Sequence, residues 1–368
     1  MKALLLSGGR GTRMRPLTYT RNKHAVPIAN KPLIQYPFEM IVEAGIKDIA
    51  IIVNETREEI ESILGDGKKW GVKITYIFQK APKGLAHALS LSENFMGRSK
   101  FVMVLGDNML EKGIIKYVDN FRKSNSKGHI LGIKVDPKEH KRFGTATINK
   151  KGEVLAYLEK PGVVDKSNIY DPDNSYVVPG FYFAGPEIFG CFHGKGKLKP
   201  SSRGEYEIPH AFNWLINHDH KVTLDVVDGW YKDPGNPGDT LIANQFVLTS
   251  IVEEKNKGKV NAKSKIEGKV NIGKKTVIKN SILRGPLIIG ENCKIENCFI
   301  GPFTSIYHNS ELKNCEIENS IVLGNTKLHD TPNRIDSSII CWDCEVGKLD
   351  GPSNSLKLFI GDNSSVMF

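Results

Sequence analysis

The sequence contains no run of 18 apolar residues, so no membrane-spanning helix is expected. It also lacks a block of like charges. Its 51 Lys and Arg and 41 Asp and Glu are spread along the chain, and the net charge of +10 suits small anionic ligands better than a nucleic-acid arm. The opening Met1-Lys2-Ala3-Leu4-Leu5-Leu6 is too short an apolar run for a signal peptide, which makes the cytoplasm the expected compartment. Cysteine is scarce and unevenly placed: five of the six lie after residue 290. Cys341-Trp342-Asp343-Cys344 has no second pair at zinc-site spacing, so buried filler is expected rather than a metal centre. Cys293, Cys298 and Cys315 each follow an asparagine, which suits turns better than chemistry.

At 368 residues, 40% hydrophobic and 25% charged, the chain has material for two globular domains. In residues 1–245, apolar runs (Ala3–Leu6, Ile49–Val53, Ile74–Phe78, Phe101–Leu105, His129–Val135) alternate with helix-like stretches. Those stretches are Pro32–Ala44, Arg57–Leu64, Leu85–Phe95 and Ile114–Lys123. The alternation predicts an α/β fold, a Rossmann-like mixed and mostly parallel sheet, with ligands bound beyond the carboxyl ends of its strands. Gln245–Lys257 reads as a helix, with 246–258 as the linker. From residue 259 to 368 the pattern changes. Aliphatic residues recur every six positions, as at Val260, Ile266, Ile272 and Ile278, then Ile289 and Ile295, then Ile300, Ile306 and Leu312. A six-residue period implies a triangular β-helix with one inward side chain per side. The slips between 278 and 289 and between 323 and 335 predict loops or irregular coils there. The pattern resembles the left-handed hexapeptide β-helices.

The densest chemistry follows the first strand, in Ser7-Gly8-Gly9-Arg10-Gly11-Thr12-Arg13-Met14-Arg15. Glycines let backbone N–H groups approach phosphate oxygens and arginines add fixed positive charge, so this loop suits a polyphosphate. Asp107 closes an apolar strand on the same rim, and Asp233 follows another apolar stretch. Each could be plain turn chemistry, but together they could hold Mg²⁺ against phosphates. Lys23, Lys160 and Arg203 taken singly read as surface cations.

Residues 1–245 resemble the sugar-1-phosphate nucleotidylyltransferases, most closely the glucose-1-phosphate thymidylyltransferases. The resemblance rests on Ser7–Thr18, Asn30–Pro37, Gln79–Ala88, Leu105–Asn108, Phe143–Ala146, Glu159–Pro161, Ser202–Ile208 and Lys232–Gly235, in the family's order. The repeats, closing on Leu356–Asp362, resemble the longer branch that carries a β-helix. The resemblance implies that Gly8, Gly9, Gly11 and Thr12 wrap a nucleoside triphosphate, with Arg13 and Lys23 neutralising it. It implies that Gln79 and Gly84 read the base, Asp107 and Asp233 carry Mg²⁺, and Gly144, Glu159 and Gly180 hold the sugar. Lys160 and Arg203 would clamp the sugar phosphate. Pro234, Tyr231, His24 and Pro179 depart from the family pattern, which bears on the sugar more than on the reaction. The implied reaction is dTTP plus α-glucose 1-phosphate giving dTDP-glucose and pyrophosphate. UTP or N-acetylglucosamine 1-phosphate remain open, as does acyl transfer in the β-helix with His308 as base, although no Gly-Ala-Gly-Thr run is present. The flat faces of the β-helix predict a homo-oligomer.

Overall fold

The computed structural model describes residues 1–9, 11–161, 170–250, 252–348 and 362–367. Of the stretches singled out above, Arg10 and 356–361 lie outside the described residues. The chain divides into two compact units, residues 1–9 with 34–232, and residues 10–33 with 233–368. Among the described residues no helix is long and apolar enough to cross a membrane.

The first unit is built on a seven-stranded sheet. Its order is Val222–Val226, Gly128–Gly132, Phe181–Ala184, Phe101–Leu105, Lys2–Leu6, Asp48–Val53, Lys73–Phe78. Phe181–Ala184 runs antiparallel to both neighbours and the other pairings are parallel. Alternate residues of the central strands enter two separate apolar clusters, Leu4, Leu6, Ala50 and Ile52 in one, Ala3, Leu5, Ile49 and Ile51 in the other. Both faces are therefore covered, which is why these strands read as unbroken apolar runs rather than as alternation. The predicted α/β sheet is present, mixed and mostly parallel.

The helices begin and end where local chemistry allows. Arg57–Leu64 buries Ile60 and Leu64 four residues apart, carries Glu58 and Glu59 in its first turn and stops at Gly65 with φ +66°. The helix expected from Pro32 starts instead at Gln35, because Lys31–Pro32 pairs with Pro27–Ile28 in a short hairpin. Leu85–Phe95 divides into Leu85–Leu91 and Glu93–Met96, with the Ser92 hydroxyl turned back onto the Leu89 carbonyl.

The second unit contains the parallel β-helix. Three stacks of short parallel strands form its sides, six strands in two of them and four in the third. Successive coils pair in register: Val277 with Lys294, Lys294 with Glu311, and Ile282 with Phe299. The coil is thus 17 residues long rather than three sixes, the same separation that brings Asn280 against Asn297. No loop interrupts the ladder between 278 and 289. The inward residues Ile278, Leu283, Ile289, Ile295, Ile300, Ile306, Leu312 and Ile317 are all buried, and the side that follows Ile278, Ile295 and Leu312 is simply one residue shorter. Asn280, Asn297 and Asn314 turn that short corner at positive φ, a region asparagine tolerates. Their amides also stack: Asn280 donates to Asn297 at 3.2 Å and Asn297 to Asn314 at 3.0 Å. The asparagine, not the cysteine after it, occupies the turn. Cys293, Cys298 and Cys315 are buried inside the coils. The later slip is a longer coil, Ile321 pairing with Ile339.

The helix expected over Gln245–Lys257 runs from Pro237 to Ser250. Asn236 caps it, accepting from the Asp239 N–H at 2.9 Å, and Pro237 fits its first position. Lys255–Asn256 has already entered the first β-helix side, paired with Asn271–Ile272.

Candidate active site

In the first unit the loop after Leu6 emerges at the carboxyl ends of parallel strands. The Gly106 N–H donates to the Leu6 carbonyl at 2.9 Å, which puts Gly106-Asp107 beside Ser7-Gly8 on one rim. Gly8 lies so close to Gln79 that an added Cβ would stand 2.7 Å from Gln79 Oε1. The Asn54 amide holds the Gly8 carbonyl at 3.2 Å. Gln79 is buried, and its Nε2 donates to His87 Nδ1 at 2.9 Å. Partial burial, with Lys83 nearby, lowers the His87 pKa and favours the neutral ring that can accept this bond. Gly84 caps the next helix at φ +99°, pressed against the backbone of Tyr206. Gly8, Gln79, Gly84 and Asp107 are thus on elements that meet at the strand ends. Gly9 follows, exposed.

A second group in the same unit surrounds Gly144 and Gly180. Gly144 opens a strand opposite Glu159, and a Cβ on it would stand 2.9 Å from Tyr157 Oη. Gly180 takes a φ of +82°, its carbonyl accepts from the Leu105 N–H at 3.1 Å, and a Cβ on it would strike Asn108 Nδ2. Asn108 donates to the Pro179 carbonyl and accepts from Tyr231 Oη at 3.3 Å, which ties the Asp107 turn to the Gly180 turn. Lys160 is exposed and takes a positive φ of 51°, its N–H bonded to the Phe143 carbonyl at 3.2 Å.

Arg203 is held by two carboxylates. Its Nη2 lies 3.0 Å from Glu159 and 2.8 Å from Glu207, and its Nε lies 3.2 Å from Glu207. Glu207, the nearer and more buried partner, is the first cause of the raised Arg203 pKa. The guanidinium joins Glu159, a sequence-predicted sugar contact, to a side chain that the sequence did not single out.

In the second unit, residues 11–33 carry the remaining predicted cations. Gly11, at φ +61°, packs so that a Cβ would stand 3.0 Å from Lys23 Cβ and 3.2 Å from Thr18 Cγ2. Thr12, Arg13 and Met14 form one short 3₁₀ turn, and Lys23, His24 and Ala25 another, capped by the Asn22 side chain. Arg13 is exposed, with its Nη2 3.5 Å from where a Cβ on Gly235 would be, so it lies against the turn that includes Asp233. Lys23 is buried. Gly11, Arg13, Lys23 and Asp233 therefore belong to one compact unit.

Sequence reasoning did not pick out Asn54, His87, Asn108 or Glu207. They act on other side chains or on backbone carbonyls and carry no motif of their own; only Asn108, His87 and Glu207 sat inside quoted stretches. His308, the suggested acyl-transfer base, accepts the Glu291 N–H on Nδ1 at 2.7 Å and packs its ring against Tyr307, the arrangement of a structural histidine. Cys341 has its thiol pKa pushed up to about 11 by burial, which keeps it protonated. Among the described residues no group of three or more His, Cys, Asp or Glu gathers to hold a metal.

Residues 2–250 match the family model described as nucleotidyl transferase. The chain is 36% identical to a glucose-1-phosphate thymidylyltransferase of Streptomyces griseus, over 99% of this chain and 98% of that one. It is 37% identical to the low-salt glycan biosynthesis nucleotidyltransferase Agl11 of Haloferax volcanii, over 100% and 99% of the two chains. A solved structure of UDP-glucose pyrophosphorylase with UDP-glucose superposes with a TM-score of 0.58 at 24% identity, covering 67% of this chain and 98% of that one, which shows a common fold. With the family match spanning most of its length and these relatives spanning all of it, the chain belongs to the nucleotidyl transferase family.

Proposed function

We propose that the protein transfers the nucleotidyl group of dTTP to α-glucose 1-phosphate, releasing pyrophosphate and forming dTDP-glucose. The observation that carries this reading is the Gly106–Leu6 bond, which sets a carboxylate beside the glycine loop at the strand ends. The full-length likeness to a glucose-1-phosphate thymidylyltransferase supports the choice of substrates.

The incoming sugar phosphate is already an anion, so no general base is needed. The obstacle is bringing it against the α-phosphorus of a second anion. Arg13 and Lys23 are assigned to the triphosphate, with the N–H groups of Gly8, Gly9, Gly11 and Thr12 wrapping it. Lys160 and Arg203 are assigned to the sugar phosphate, and Gly144, Glu159 and Gly180 to the sugar. Gln79 and Gly84 are assigned to the base. Holding both anions in line among fixed cations lowers the barrier through charge and position.

Asp107 and Asp233 are assigned to Mg²⁺. All-oxygen donors suit that ion, which keeps several waters and shares phosphate oxygens. When bound, the ion would neutralise developing charge on the phosphates. A homo-oligomer formed through the β-helix completes the reading, checked by light scattering on the eluted protein.

Purified protein given Mg²⁺, glucose 1-phosphate and either dTTP or UTP should release pyrophosphate, faster with dTTP at equal concentration. The Asp107→Asn variant should lose at least about a hundredfold in rate. Absence of pyrophosphate from the wild type, or an unaffected variant, refutes the reading; preference for UTP changes the nucleotide and keeps the chemistry.

A further inference from the structure

The outward side chains on two sides of the β-helix differ sharply. On one, Lys294 pairs with Glu311 at 3.5 Å and His329 with Glu345 at 3.2 Å, both pairs at the water-facing surface. On another, the outward register runs Asn271, Ile288, Ser305, Ile321 and Ile339, of which Ser305 and Ile321 are buried and the others half-buried. Part of the cover of this side is the Pro237–Ser250 helix, through Asn244, which donates to the Phe303 carbonyl at 3.0 Å and accepts from Ser305 at 2.7 Å. The segment that carries Arg13 and Lys23 packs on the edge of the same side.

Met14, Leu17 and Val26 are buried in one apolar cluster with Ile339, Cys341 and Trp342. The Arg21 guanidinium lies over the Trp342 ring, 4.2 Å from its centroid. At the far end of the segment, Asn30 donates to the Ile306 carbonyl at 2.7 Å, and the Ala29 N–H donates to Asn244 at 2.9 Å. The indole is itself seated against Gly324, where a Cβ would stand 3.3 Å from Trp342 Cδ1.

These anchors sit next to the charged residues in sequence. Met14 follows Arg13 in one three-residue turn, and Val26 ends the turn that begins at Lys23. Turns this short have no stability of their own, so their orientation must come from what their apolar residues pack on. We propose that the Ile339–Trp342 edge of the β-helix is the platform that orients the Arg13 and Lys23 loop, with Trp342 as its positioning residue. The inference rests on the reading of that loop as the triphosphate-binding segment. It gives the repeat domain a part in nucleotide affinity, separate from any part in assembly.

The test compares full-length wild type with Trp342→Ala, Trp342→Phe and Asn30→Ala. Each is assayed for pyrophosphate release with dTTP and glucose 1-phosphate varied independently, and for amide hydrogen exchange across residues 11–33. Trp342→Ala should lower kcat/KM for dTTP by roughly ten- to a hundredfold, the cost of a small misplacement of binding groups. It should shift KM for glucose 1-phosphate far less and speed exchange in 11–33 selectively. Trp342→Phe should restore most of both. Wild-type kinetics and wild-type exchange in Trp342→Ala overturn the proposal. Should Trp342→Ala fail to fold, Asn30→Ala decides, and unchanged exchange in 11–33 overturns it equally. A wild type inactive with every nucleotide refutes the proposed function instead, while the exchange comparison still tests the platform.

Discussion

Gly84 sits so close to the backbone of Tyr206 that a methyl group on it would stand 2.5 Å from the Tyr206 carbonyl oxygen. Neither segment of chain can retreat. The Tyr206 N–H donates to the Lys83 carbonyl at 2.8 Å and its carbonyl accepts from the Ala86 N–H at 3.0 Å, so the two segments are stitched on both sides of the glycine. Gly84→Ala adds the strain of an alanine at φ +99° to that collision. It should destabilise the protein by about 2 kcal/mol or more in urea titrations. It should also raise KM for the nucleotide, because the segment from Gln79 to Gly84 must shift.

Arg203 bridges Glu159 and Glu207 with a fork that lysine cannot reproduce. Arg203→Lys should keep the charge yet leave one carboxylate poorly paired. The expected result is a KM for glucose 1-phosphate raised on the order of tenfold, with a loss of at most about 1 kcal/mol in unfolding free energy, because the exposed guanidinium is screened by solvent. The dTTP constants should change little, which steady-state kinetics with each substrate varied in turn will show.

His129 is buried between Phe121 and Phe183, with Nδ1 2.9 Å from Thr223 Oγ1. Burial lowers its pKa to about 4, although Asp225 pulls the other way. The unfolded chain therefore takes up a proton first as pH falls. Stability from this neutral ring is complete above the ordinary value near 6.5 and declines between there and about 4. The decline should be on the order of 3 kcal/mol. Chemical denaturation at stepped pH should show it in the wild type and a flatter profile in His129→Phe.

Asn297 both turns a corner at φ +54° and links Asn280 to Asn314. Asn297→Ala loses both contributions and should cost about 2 kcal/mol, whereas Asn297→Gly recovers the turn and should cost about 1 kcal/mol. Thermal unfolding of the two variants side by side gives the ordering.

The sheet was legible because its strands are buried on both faces, as Leu4 and Leu5 show by entering different clusters. The β-helix was legible from its inward residues, but its coil length was not. A shorter side closed by Asn280 imitates a break in phase when positions are counted by sixes. The helix near the junction was misplaced because Asn236-Pro237, which starts it, also reads as a turn, and the charged stretch after it prolonged the pattern. Glycine and charge in short motifs marked Gly8, Arg13 and Asp107 as candidates, whereas Arg203 alone read as a surface cation and stood out only through the family resemblance. Glu207 and Asn54 stayed hidden, since their roles depend on which segment they face and not on their neighbours in sequence.

Because Leu287 pairs with Thr304 and Thr304 lies one coil beyond it, the repeat behaves as a ruler with a fixed step of about 4.8 Å. Duplicating one such stretch between Ile289 and Ile306 would carry the Trp342 edge one step along the axis, while Met14 stayed tethered to Thr240 of the Pro237–Ser250 helix. The number of turns wound before Ile339 is therefore itself an inherited dimension of the enzyme. Whole-turn insertions ahead of Ile339 should be tolerated poorly, which thermal unfolding of such variants will show.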